Sequence, residues 1–130
     1  MAILSWHDRY RLGHAEIDAQ HRKLFELVNH FGDVIEMDMP AELGRIVGDI
    51  IASAGVHFKF EEAVMVQIGF PDRSGHSRMH GELIGQLRQM RAEMKAGGHL
   101  STKFVAMSLV DWLTYHILRE DMDYKAYLKE

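Results

Sequence analysis

The sequence predicts an all-α fold, an antiparallel up-down four-helix bundle with an N-terminal arm and a short C-terminal helical tail. Three observations lead there. Four long segments repeat their apolar residues at close to 3.6 positions, the period of one helical face. The connections between them are short and carry glycine or proline, which sets successive helices antiparallel. Period-two alternation, the mark of a half-buried strand, is missing.

Residues 1–17 read as an irregular arm whose Trp6, Tyr10, Leu12 and Ile17 can lie along a helical body. A first helix runs from about Asp18 to Met37, with Leu24, Val28, Phe31 and Ile35 at helical spacing. Pro40 suits a first turn and no helix interior, so the second helix begins near it. Its stripe is Leu43, Ile46, Ile50, His57, Glu61, Val64 and Ile68, and Gly69 with Pro71 stops it. Asp72 or Ser74 caps a third helix that presents His76, His80, Leu83, Leu87, Met90 and Met94 and ends at Gly97-Gly98. Ser101 caps the fourth, whose inner face reads Val105, Leu109, Trp112, Leu113, His116 and Ile117. From about Met122 to Leu128 a tail adds one or two turns. Gly44, Gly48, Gly55, Gly81 and Gly85 each cost a helix about 1 kcal/mol relative to alanine. Close helix packing, simple tolerance, or space for a small ligand would each account for them.

At 130 residues the chain suits a single domain, residues 1–130, with one core. Its 47% apolar and 26% charged content is that of a soluble globular protein. The net charge of −4, from 15 basic and 19 acidic residues, leaves no footprint for nucleic acid and disfavours anionic lipid. With no cysteine there is no disulfide, thiolate catalysis, iron–sulfur cluster or thiolate zinc site, and a reducing cytoplasm is compatible. The N-terminus lacks the basic and long apolar regions of a signal peptide. No stretch reaches ~18 uncharged apolar residues, so membrane insertion is not expected. A cytoplasmic monomer is the expectation, since nothing in the sequence demands a large apolar interface.

Chemistry concentrates in seven side chains. His21 falls on the apolar stripe of the first helix; His57 and Glu61 lie four apart, as do His76 and His80; His116 and Asp121 lie five apart. Residues four apart share a helix face, so each such pair can converge on one point. Burying these groups unpartnered would cost several kcal/mol, an objection that shared ligation of two metal ions removes. The other histidines do not qualify: His30 is half a turn off the stripe, His7 and His14 lie in the arm, and His99 sits in a glycine turn. Five residues separate side chains by about 140° on an ideal helix. Glu120 is therefore the choice from geometry alone, and Asp121 requires the fourth helix to loosen, tighten or end there.

The pattern H, H-x-x-x-E, H-x-x-x-H, H-x-x-x-x-D resembles the hemerythrin family, particularly its single-domain bacterial members. The flanking W-H-D-R-Y, I-D-A-Q-H-R-K-L, H-F-K-F-E-E, G-F-P and W-L-T-Y-H-I-L-R-E-D are similar too, so the resemblance covers nearly the whole chain. It favours Asp121 over Glu120. It implies two non-haem irons bridged by Glu61, Asp121 and an oxo or hydroxo group. His76, His80 and His116 would complete one iron, and His21 and His57 the other, leaving a position open for O2. Leu24, Phe58, Trp112, Leu113 and Ile117 would wall the O2 pocket, although ordinary core packing accounts for them nearly as well.

Imidazole and carboxylate ligands suit zinc, manganese or copper as well as iron, so iron rests on the resemblance. No E-x-x-H motif of the carboxylate-rich di-iron bundles occurs. Five neutral imidazoles stabilise high-valent states less well, which favours reversible O2 binding over O–O cleavage. The expected function is an oxygen carrier or store, delivering O2 to an oxidase or oxygenase. Competing classes are a sensor of O2 or redox state acting through a protein partner, a di-iron enzyme consuming peroxide or nitric oxide, a binuclear hydrolase, and iron storage. No acid–base pair outside the metal shell points to an enzyme.

Overall fold

Each apolar stripe becomes a helix: α1 (Ala15–Glu36), α2 (Pro40–Ile68), α3 (Arg73–Lys95) and α4 (Thr102–Tyr115). A π-helical turn (His116–Asp121) and a short α5 (Met122–Lys125) continue α4. The computed structural model describes residues 3–37, 40–96 and 101–128, and among these there is no strand. The Gly97-Gly98 stop and His99 lie outside the described residues.

The helix ends follow local chemistry. Gly69 takes a positive φ of 71°, and the amides of Gly69 and Phe70 donate back to the carbonyls of Val66 and Met65. This is the paired bonding that closes a helix on a left-handed residue. Ser101 Oγ accepts from the Phe104 amide at 3.0 Å, as its sequence position predicts. Two ends depart from expectation. Asp72 is the first residue of the α3 cap but its side chain makes no capping bond, and Ser74 lies inside the helix. α1 starts three residues earlier than expected because His14 Nδ1 accepts from the Ile17 amide at 3.2 Å. A histidine is an unusual cap, and the sequence gives no signal for it.

The up-down course brings the start of α1, the latter half of α2, the start of α3 and the end of α4 to the same end of the bundle. Opposite them lies the apolar core, with Val28, Phe31, Ile46, Val47, Ile50, Leu87, Val105 and Leu109 all buried. This division leaves one end for chemistry and the other for hydrophobic burial, at about 25 cal/mol per Å² of apolar surface.

The arm lies along α1. Asn29 clamps it, accepting from the amides of Ile3 and Leu4 at 2.9 Å and donating to the Leu4 carbonyl at 2.8 Å. Trp6 and Tyr10 pack edge-on against Phe25, with centroids 5.1 and 5.0 Å away. Asp18 accepts from the amides of Leu12 (2.9 Å) and Gly13 (3.2 Å) and so holds the chain at its entry to α1. The helix glycines prove mostly tolerated: a methyl group at Gly44, Gly55, Gly81 or Gly85 would meet nothing within 4 Å. Gly48 makes room for the Arg91 side chain, whose Nε donates to the Gly44 carbonyl. Among the described residues no helix is long and apolar enough to cross a membrane.

Asp18→Ala removes the acceptor of two backbone amides, one of these bonds buried. Denaturant unfolding is expected to show a loss of about 2–4 kcal/mol, with faster hydrogen exchange at Leu12 and Gly13. A change below ~0.5 kcal/mol would mean that the arm is held by its aromatic contacts alone.

Candidate metal centre

All seven side chains predicted to act together do meet. His21, His57, Glu61, His76, His80, His116 and Asp121 are all buried, none more than 4% exposed. Asp121 Oδ2 lies 2.9 Å from His21 Nε2 and 3.0 Å from His116 Nε2, and its Oδ1 lies 3.1 Å from His76 Nε2. Glu61 Oε1 lies 3.3 Å from His57 Nε2, 3.2 Å from His80 Nε2 and 3.4 Å from His116 Nε2. The two carboxylates thus form the hub and five imidazoles the rim.

The doubtful five-residue spacing is resolved by the backbone. From His116 to Asp121 the helix widens into a π turn, with the Met122 amide donating to the Ile117 carbonyl five residues back. Widening brings the fifth residue onto the inward face, and such turns recur at functional sites. Glu120 is displaced outward, where its Oε1 lies 3.1 Å from His116 Nδ1.

The ring nitrogens facing away from the hub are held in turn. Gln20 Oε1 lies 2.7 Å from His57 Nδ1, and Glu62 Oε2 lies 2.8 Å from His80 Nδ1 while its other oxygen accepts from Ser77 Oγ. With Glu120, these acceptors fix which nitrogen of each ring carries the proton and so free Nε2 as a donor to a metal. Tyr124, wholly buried, donates its hydroxyl to Glu61 Oε2. Sequence reasoning passed over Gln20, Glu62 and Tyr124. The first two are chain neighbours of His21 and Glu61, but serve rings on other positions, and no spacing rule reveals that.

Burial sets the electrostatics. It pushes the Glu61 carboxyl up, yet the facing His57, His116 and His21 outweigh it and hold the group well below the usual carboxylate range. Asp121 is pushed up by burial and by Glu61, and His116 with His21 brings it below its ordinary value. Burial lowers His116, but Asp121 and Glu120 raise it well above the ordinary imidazole value; His21 rises likewise, against burial, through Asp121 and Glu61. His57 goes down, because there burial prevails over Glu61. The Tyr124 phenol, raised by burial and the two carboxylates, keeps its proton.

Whether these residues fit a metal is tested by their unspent bonding capacity. Nε2 of His21, His57, His80 and His116, Oε1 of Glu61 and Oδ2 of Asp121 are buried without a hydrogen-bond partner among the described residues. Each such atom costs about 1–3 kcal/mol if left so. They face one another, so cations placed among them would satisfy all six. Donor atoms within 4.8 Å of one another form two groups: His21, His57, Glu61, His116 and Asp121, and Glu61, His76, His80 and Asp121. Both carboxylates belong to both groups, as bridging ligands would. His116 falls with His21 and His57, whereas the resemblance implies that it completes the site of His76 and His80.

The five apolar residues expected around this centre are all buried. Phe58 stacks on the His80 ring at 4.0 Å and meets His116 edge-on at 5.0 Å, and Trp112 lies parallel to His116 at 6.3 Å. Leu24, Leu113 and Ile117 are fully buried, within one turn of His21 or His116.

An up-down four-helix bundle with a buried histidine–carboxylate cluster at one end defines a cation-binding bundle protein. A family model described as the hemerythrin HHE cation binding domain matches residues 12–128, and the chain belongs to that family. It is 32% identical over 129 residues to a bacteriohemerythrin of Stenotrophomonas maltophilia (strain R551-3), covering 99% of this chain and 84% of that one. A bacteriohemerythrin of Methylococcus capsulatus (strain ATCC 33009 / NCIMB 11132 / Bath) is 27% identical, with 95% of each chain covered. A crystal structure of wild-type hemerythrin superposes with a TM-score of 0.87 at 26% identity, over 99% of this chain and 100% of that one.

Raised values at His21 and His116 mean that both rings of the metal-free chain hold their second proton to higher pH than an ordinary imidazole. A cation must displace those protons, so metal affinity is expected to rise with pH up to the raised folded-state values of the two rings. Calorimetry of ferrous ion binding under anaerobic conditions, repeated in buffers of different ionisation enthalpy, should register proton release. Binding with no proton release at neutral pH would contradict this account.

Proposed function

We propose that the chain binds O2 reversibly at a non-haem di-iron centre and serves as an oxygen carrier or store rather than an enzyme, with residues 1–130 acting as one domain. One observation carries this reading: five imidazoles and only two carboxylates converge, buried, at one end of a hemerythrin-family bundle. His21, His57, His76, His80 and His116 would hold the irons, with Glu61 and Asp121 shared between them. Two irons joined by an oxo or hydroxo bridge would supply the chemistry when bound, a reversible exchange of electrons with O2.

The chain's own residues do the rest. Glu61 and Asp121 balance positive charge at the hub, and their low affinity for protons keeps them ionised as ligands. Tyr124 holds Glu61 in place through a hydroxyl that does not ionise. Gln20, Glu62 and Glu120 orient three of the five rings. Leu24, Phe58, Trp112, Leu113 and Ile117 exclude water and competing anions from the O2 pocket, which slows irreversible oxidation. Around the hub Gln20, Glu62, Glu120 and Tyr124 are already committed to these structural bonds, and this favours binding over turnover. An O2-consuming oxidase or oxygenase is the natural recipient for such a store.

The reading is tested by anaerobic reduction of iron-loaded protein, exposure to O2, and then evacuation, followed in the visible spectrum. An oxygenation band should appear and vanish over repeated cycles, with about two irons per chain. Irreversible bleaching in the first cycle, or steady consumption of O2, would reject the carrier. Leu113→Ala should speed autoxidation by roughly threefold or more, since an apolar wall is opened. Unchanged oxygenation and autoxidation rates would take Leu113 out of the pocket.

A further inference from the structure

The four helices do not pack evenly. α1 packs on α2 and α4, and α2 packs on α3, but the backbones of α3 and α4 scarcely approach among the described residues. Between them runs an open trough made of two adjoining hollows that share Glu82 and Gln86. One reaches Met90 and Phe104, the other Met79, Leu83, Trp112 and Tyr115. Phe104 and Tyr115 are each 56% exposed, and Met107 on the same helix is 53% exposed. Apolar surface clustered in this way, rimmed by polar groups, is the usual mark of an interaction site.

The rim has one sign. Glu82, Glu93, Asp111 and Glu120 line the trough, and among the described residues no lysine or arginine does. A floor of methionine, leucine and aromatic side chains adapts to varied apolar partners. Its length is set by α3: from Met79 to Glu93 a helix advances roughly 21 Å, so a guest helix of about 14 residues would fill it. A second copy of this chain is disfavoured, because a two-fold interface through this face would set the same four carboxylates against themselves. Anionic lipid is repelled for the same reason.

We propose that the α3–α4 trough is a docking site for a basic amphipathic helix of a partner protein. Its apolar face would rest on Met79, Leu83, Met90, Phe104 and Tyr115, and its lysines or arginines would meet Glu82, Glu93 and Asp111. This is the helix-in-groove mode, read through anchors one turn apart. The trough floor also touches the metal centre: Trp112 lies parallel to His116, and Glu120 holds His116 Nδ1. A docked helix therefore presses on the two residues that connect this surface to the buried cluster. Docking itself assumes nothing about O2 chemistry, so its failure and the failure of the carrier reading are separable.

The test uses the full iron-loaded chain, isotope-labelled, and a synthetic leucine–lysine amphipathic helix of about 14 residues as the probe. Binding in the micromolar range is expected, with NMR shift changes confined to the facing sides of α3 and α4 and including the Trp112 indole. Affinity should fall roughly tenfold or more in Phe104→Asp and in the double variant Glu82→Lys, Glu93→Lys. All three positions are exposed, and an unchanged thermal midpoint verifies that the variants fold. A leucine–glutamate helix of the same design should not bind. The proposal is overturned by no binding at millimolar probe, by equal binding of the acidic helix, or by shift changes on other faces. It is also overturned if the chain self-associates through this trough, seen as a dimer in sedimentation that Phe104→Asp dissolves.

Discussion

Two buried carboxylates, Glu61 and Asp121, are the constraint on which the rest of the molecule depends. Neither has any exposed surface, and an isolated ionised carboxylate in such surroundings would be protonated or would unfold the site. Their charge is tolerated because five imidazoles and one phenol are arrayed around them, and because several of their atoms stand ready for a cation. Every helix contributes to that arrangement, so no helix can shift without disturbing it. Specificity of this kind differs from hydrophobic stabilisation, which the opposite end of the bundle supplies.

Holding so many polar groups together requires a supporting layer, and the structure has one. Gln20 from α1 steadies a ring on α2, Glu62 from α2 a ring on α3, and Glu120 a ring one turn back on its own segment. Two of these bonds cross between helices and tie neighbouring elements together at the level of the centre. The arm adds a strap along α1, pinned at Asn29 and at Asp18. The α3–α4 seam is the exception: there the bundle is held through its other contacts, and a surface with its own chemistry is left facing outward.

Much of this was legible in the residues. The apolar stripes marked four helices, and the inward register of His21, His57, Glu61, His76, His80 and His116 followed from spacings of three and four. Asp121 was different. Helical geometry alone preferred Glu120, and only the family resemblance favoured the residue that proves to face the hub. The outer partners Gln20, Glu62 and Tyr124 escaped detection because each serves a residue far along the chain, from 18 to 63 positions away. Helix capping by His14 and the idle side chain of Asp72 escaped for a more local reason, since cap geometry depends on backbone angles that composition does not specify.

By itself the sequence determined periodicity, and periodicity determined which side chains face inward, because a helix repeats its faces every 3.6 residues. It therefore determined the fold class and six of the seven clustered groups. Tertiary structure decided what periodicity has no means to express. The π turn rotates Asp121 onto the inner face, hydrogen bonds between helices orient the imidazoles, and packing brings α3 and α4 close enough to frame a trough yet not to close it. These outcomes depend on distances between elements, and a one-dimensional pattern contains only distances along the chain.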